Sequence, residues 1–147
     1  MKVGIKEQKI LSASELITTL RYSFGRYSSQ DKLKHHPSIF IQGQPGVGKS
    51  QAIFQTAKLL EKDTNKKVIV TDIRLLLFNP VDLRGIPVPN IKEKTSIWLR
   101  PEILKLSSDE SIINILFLDE ITSAPPSLQA VSYQIALDRR IGEHAIP

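Results

Sequence analysis

Two short stretches hold the residue types that could do chemistry. The first, Gly43-Gln44-Pro45-Gly46-Val47-Gly48-Lys49-Ser50-Gln51, places three of the chain's seven glycines within six residues and follows them with a lysine and a hydroxyl. Glycines at that spacing let backbone N–H groups converge on an anion with no side chains in the way, and a helix starting just beyond them adds the positive end of its dipole. The pattern fits G-x-x-x-x-G-K-[ST], a loop that cradles nucleotide phosphates. Lys49 is then the point charge on the β- and γ-phosphates, and the Ser50 hydroxyl is a Mg²⁺ ligand. The second stretch, Ile115-Leu116-Phe117-Leu118-Asp119-Glu120, is an apolar run ending in two carboxylates. Asp119 is expected to hold the Mg²⁺ hydration shell, and Glu120 to orient and deprotonate the water that attacks the γ-phosphate. Lys49 and Glu120 are thus the expected catalytic residues. An acidic pair after a strand is by itself commonly a helix N-cap; the glycine-rich loop upstream turns the reading towards chemistry.

The base is read by what is missing. A GTPase needs an Asn-Lys-x-Asp element, and the one Asn-Lys, in Asn65-Lys66-Lys67-Val68, lacks the Asp and comes too early. ATP is therefore the expected ligand, with Mg²⁺. A small nucleoside kinase needs an Arg-rich lid, which is not evident, and adjacent Asp119 and Glu120 suit water activation better than transfer to a bound acceptor.

These residues need elements to position them. Ser12, three residues before Glu15, reads as a capping box opening an amphipathic helix on Leu16, Ile17, Leu20, Phe24 and Tyr27, ending near 25–29. Residues 38–42 read as a buried strand stopped by Gly43, and 50–62 as a helix closed by Asp63-Thr64-Asn65. Residues 68–72 form a second strand, and 113–118, with five apolar residues in six, a third of the kind covered on both faces. Between them lies a proline-rich stretch with a hairpin across 90–95 and a short helix from Pro101; Pro125 and Pro126 open a last helix running to Arg139. Strands alternating with helices predict an α/β fold, a parallel sheet with crossover helices.

Composition narrows the setting. At 147 residues the chain allows one domain, and 41% hydrophobic against 24% charged residues is the balance of an ordered globular protein. No apolar run approaches the roughly 20 residues of a membrane span, and no signal peptide opens the chain, so the expected location is the cytoplasm and no membrane partner is expected. With no cysteine, thiol and disulfide chemistry are excluded, and His35, His36 and His144 make a poor metal cluster. His35 and His36 are expected to be solvated loop residues. The net charge of +5 is diffuse and aromatics are only 6%, so nucleic acid is not favoured as a partner.

Taken together, GQPGVGKS, NPVDLRGIPV, Trp98-Leu99-Arg100-Pro101 and ILFLDEITSAPPSLQAVSYQIALDRRIGEH resemble the AAA+ ATPases of the P-loop NTPase superfamily, in the MoxR-like branch, over residues 37–146. The resemblance implies an N-terminal helix and connection (1–36) followed by the N-terminal part of an ATP-binding domain (37–147). It implies ATP hydrolysis in ring-shaped homo-oligomers, commonly hexamers, that remodel or activate a partner protein, often one with a von Willebrand factor A domain. The 79–100 segment would be the branch's insertion, its hairpin facing the ring pore or a partner. Arg84, Arg139 and Arg140 are candidates for reaching a neighbouring subunit, although an Arg pair closing a helix also suits its C-terminal dipole. Asp82 is expected to cap a short helix, Gly85 to permit a turn, and Trp98 to pack the hairpin on the core. Family members continue with a sensor strand, an arginine finger and a helical lid, so the chain is expected to be truncated before these, leaving two apolar strands with open inner edges. The rival readings are a nucleotide-dependent binding module that never turns over ATP, and a nucleic-acid motor or loader.

Overall fold

The computed structural model describes residues 10–26 and 36–146. In chain order the elements are α1 (Ala13–Gly25), α2 (Lys49–Thr64), β1 (Lys67–Arg74), α3 (Pro80–Arg84), β2 (Ile86–Asn90), β3 (Thr95–Leu99), β4 (Ile112–Asp119), α4 (Pro126–Asp138), β5 (Arg140–Ile141) and β6 (His144–Ala145), with 3-10 turns at Leu75–Leu77 and Glu102–Leu104. His35 lies outside the described residues.

The expected capping box opens α1: Ser12 Oγ accepts from the Glu15 N–H, and the Glu15 carboxylate accepts from the Ser12 N–H at 2.8 Å. Helix α2 closes on Asn65, which adopts the left-handed conformation that asparagine tolerates. Strands β1 and β4 pair in parallel from Lys67 beside Ile112 to Arg74 beside Asp119. Side chains alternate along them, so each sheet face has its own core. One face carries Val68, Val70, Ile113, Ile115 and Phe117 against Leu20 of α1 and Ile53, Ala57 and Leu60 of α2. The other carries Ile73, Leu116 and Leu118 against Leu128 and Ile135 of α4. A small parallel sheet between helical layers is an α/β architecture. Asn114, the polar residue within the apolar run, donates its Nδ2 hydrogen to the Ser107 carbonyl at 2.7 Å, so its burial leaves no orphan amide.

The 38–42 run is not the buried strand its composition predicts. It forms no strand, and Ile39 and Phe40 are 42% and 64% exposed. A strand needs a neighbour for its N–H and C=O groups, and among the described residues none lies beside it. Among the described residues β4 pairs with β1 alone, and no described strand lies along its second edge. Between that edge and the 36–43 segment lies a cleft of about 1780 Å³, lined along its length by β4. The segment is held at its start by α4 instead: the Ser38 hydroxyl donates to the Ala136 carbonyl, and the Arg139 guanidinium donates to the His36 carbonyl.

Strands β2 and β3 form the expected antiparallel hairpin, from Ile86 beside Leu99 to Asn90 beside Thr95. Trp98 does not pack on the core as expected: it is half-buried, lies opposite Pro87, and belongs to neither core cluster. Asp82 does help cap α3, from its third position: Asn79 is the N-cap residue, and the Asp82 carboxylate completes the capping box by accepting from the Asn79 N–H at 2.7 Å. Gly85 then turns the chain at φ 91°, where a Cβ would lie 2.0 Å from the Leu99 carbonyl oxygen. Positive φ and that clash act together, so Gly85→Ala is expected to cost about 3 kcal/mol. A urea midpoint unchanged from wild type would refute this.

His36 also departs from expectation. It is buried, its Nδ1 lies 2.6 Å from the Pro37 carbonyl and its Nε2 2.9 Å from Ser23 Oγ, and its ring sits 5.1 Å from that of Phe24. Burial holds its pKa below the ordinary histidine value, with the Arg139 charge adding to the effect and the Pro37 contact opposing it. The unfolded chain then takes up the proton first. Stability is expected to be intact above about pH 6.5 and to fall as the pH drops below that value towards the folded pKa, a dependence that His36→Asn removes. Thermal melts across pH 5–7.5 check this; parallel profiles for the two proteins would count against it.

Candidate functional site

The glycine-rich loop takes the shape its composition allows. Gly46 and Gly48 have φ of 80° and 86°, and a Cβ built on either would meet nothing within 4 Å, so the space before the helix is open. Gly48 is the N-cap of α2, and no side chain caps that end, which leaves its N–H groups for a ligand. The Lys49 ammonium folds back over the loop and donates to the carbonyls of Gly43 and Gln44, both at 2.9 Å. These partners are acceptors that phosphate oxygens can replace. Gln44, Pro45 and Val47 form the exposed rim of the loop, and Gln51 follows in the first turn of α2.

The two expected stretches meet. Ser50, at the start of α2, donates its hydroxyl to Asp119 Oδ2 at 3.0 Å, across 69 residues of sequence. The other carboxylate oxygen of Asp119 accepts from the Glu120 N–H at 2.9 Å. That contact goes with a positive φ of 59° at Glu120, unusual for a residue with a Cβ. The Glu120 side chain is exposed at the carboxyl end of β4, on the wall of the same cleft as Lys49 and Ser50. Open α/β sheets bind ligands at that edge.

A hydroxyl and a carboxylate in contact at a helix N-terminus fit Mg²⁺, which takes few protein ligands and completes its shell with water and phosphate oxygens. Among the described residues no three His, Cys, Asp or Glu form a metal cage, so the fit is to a shared site of that kind.

Sequence reasoning missed Asp72. It ends the run Val68-Ile69-Val70-Thr71-Asp72 and pairs with Phe117, two residues before Asp119, so Asp72, Arg74, Phe117 and Asp119 share one sheet face. Burial pushes the Asp72 carboxyl above its ordinary value; the Arg74 guanidinium opposes the shift and the Asp119 charge adds to it. The available signal was a carboxylate closing a strand that must lie parallel to the Asp119 strand. Arg139 does not extend from the helix end: it adopts φ 49° and is committed to His36. Arg140 Nη2 donates to the Glu143 carbonyl at 3.3 Å, and Arg84 is exposed at the end of α3. His144, on β6, buries its Nε2 without a hydrogen-bond partner among the described residues.

No helix among the described residues is long and apolar enough to cross a membrane. Comparison with protein-family models, with curated proteins and with solved structures found no match for this chain.

Proposed function

We propose that this chain is the ATP-binding part of an AAA+ ATPase of the MoxR-like type, which hydrolyses ATP as an oligomer and transmits the change to a protein partner. The observation that carries the reading is the Ser50 to Asp119 contact, which unites the glycine-rich loop with the acidic strand end. A chance glycine turn and a chance helix cap have no reason to meet.

In this reading the loop N–H groups and Lys49 bind the phosphates, and Ser50 and Asp119 hold Mg²⁺, directly and through its water. Bound there, the ion neutralises charge on the phosphate oxygens. Glu120 accepts a proton from the attacking water as the new O–P bond forms and the bond to the ADP oxygen breaks. The 75–99 region supports a protein partner or neighbouring subunit: Leu77 is 77% exposed and Ile91 85%, with Val81, Ile86 and Leu99 also outward.

Calorimetric titration with ATP, ADP and GTP in Mg²⁺ tests the proposal. Saturable adenine-nucleotide binding with GTP excluded is the expected result. Well-folded protein that binds none of the three would overturn it.

A further inference from the structure

The Asp72 carboxylate has one oxygen that the fold leaves without a role. The side chain is 23% exposed, but its Oδ1 is buried and has no hydrogen-bond partner among the described residues, while its Oδ2 lies 3.9 Å from Arg74 Nε. A charged oxygen in that state is costly, and native structures rarely keep one unless a ligand or water completes it. The sheet register carries Asp72 towards the site. It stands one strand over and two residues back from Asp119, on the shared face, and the two carboxylates repel each other.

A divalent cation beside the two carboxylates would turn their mutual repulsion into shared attraction to the ion. We propose that Asp72 is a positioning residue of the nucleotide site: a second carboxylate that accepts from a water of the Mg²⁺ shell held by Ser50 and Asp119. This rests on the nucleotide-site reading above. Partners of this outer kind orient the inner ligands and tune metal affinity without touching the ion. Arg74, beside Asp119 in the register and 62% exposed, is among the described residues the cation nearest the Asp72 carboxylate, at 3.9 Å, and would compete with a metal for it.

The test separates this role from a structural one by changing metal and protein independently. ATP is titrated into wild type and Asp72→Asn, each once in Mg²⁺ and once in EDTA, and Mn²⁺ binding to the ATP complex is followed by electron paramagnetic resonance. Asp72→Asn should match wild type in EDTA and lose about tenfold in Mn²⁺ affinity and in the Mg²⁺ enhancement of ATP binding. Its metal-free melting temperature should rise, because the repulsion with Asp119 is gone. An unchanged Mg²⁺ enhancement overturns the proposal, as does an equal loss with and without metal. Wild type that binds ATP in neither buffer takes down the nucleotide-site reading itself and this proposal with it. Should Asp72→Asn not fold, Arg74→Ala decides: removing the competing cation should tighten Mn²⁺ binding, and no change overturns the assignment.

Discussion

Lys49→Ala is expected to abolish measurable ATP binding while leaving the fold intact. The Lys49 ammonium donates to two carbonyls, Gly43 and Gln44, and ATP would replace these neutral acceptors with phosphate oxygens. Charge-assisted hydrogen bonds contribute about 3 kcal/mol at such sites, so the alanine variant should bind at least about a hundredfold more weakly. The folded state should barely notice. Neither carbonyl belongs to a helix or strand, and Lys49 lies outside both core clusters. Calorimetry alongside thermal melts checks both halves, and wild-type affinity in the variant would place the ligand elsewhere.

Glu120→Gln is expected to lower ATP turnover by about 10²- to 10⁴-fold with ATP affinity unchanged, because the amide keeps the shape and loses the base. This separates an enzyme from a module that only binds: in the latter the substitution changes nothing. The backbone offers an independent check. Glu120 sits at φ 59°, a conformation that costs a residue with a Cβ about 1 kcal/mol, so Glu120→Gly should be more stable than wild type and equally inactive. Full turnover by the glycine variant would remove Glu120 from the chemistry.

Local patterns proved legible where the signal and its cause lie within a few residues. Ser12 and Glu15 announced α1, and the four prolines and one glycine of the 79–101 stretch excluded a long helix where the hairpin forms. The loop from Gly43 to Ser50 was readable because its conformation is local: glycines take left-handed φ, and the next residues start a helix. The 38–42 run misled because β-branched and aromatic composition reports only suitability for a sheet. Whether a sheet forms there depends on a neighbour, and the space beside it is a cleft. His36 misled for a related reason. Nothing near it in sequence told of Phe24, Ser23 and the α4 end closing around it.

The sequence by itself determined the helix after the glycine-rich loop, the turn-forming glycines of that loop, and an apolar strand ending in two carboxylates, since each rests on short-range sterics and periodicity. Tertiary structure alone decided what meets what. The parallel register of β1 and β4 brought Asp72 to the face of Asp119, and the packing of α2 on that face put the Ser50 hydroxyl on the Asp119 carboxylate. Pairing across tens of residues is chosen by which buried faces fit together, and single-residue composition does not encode that fit.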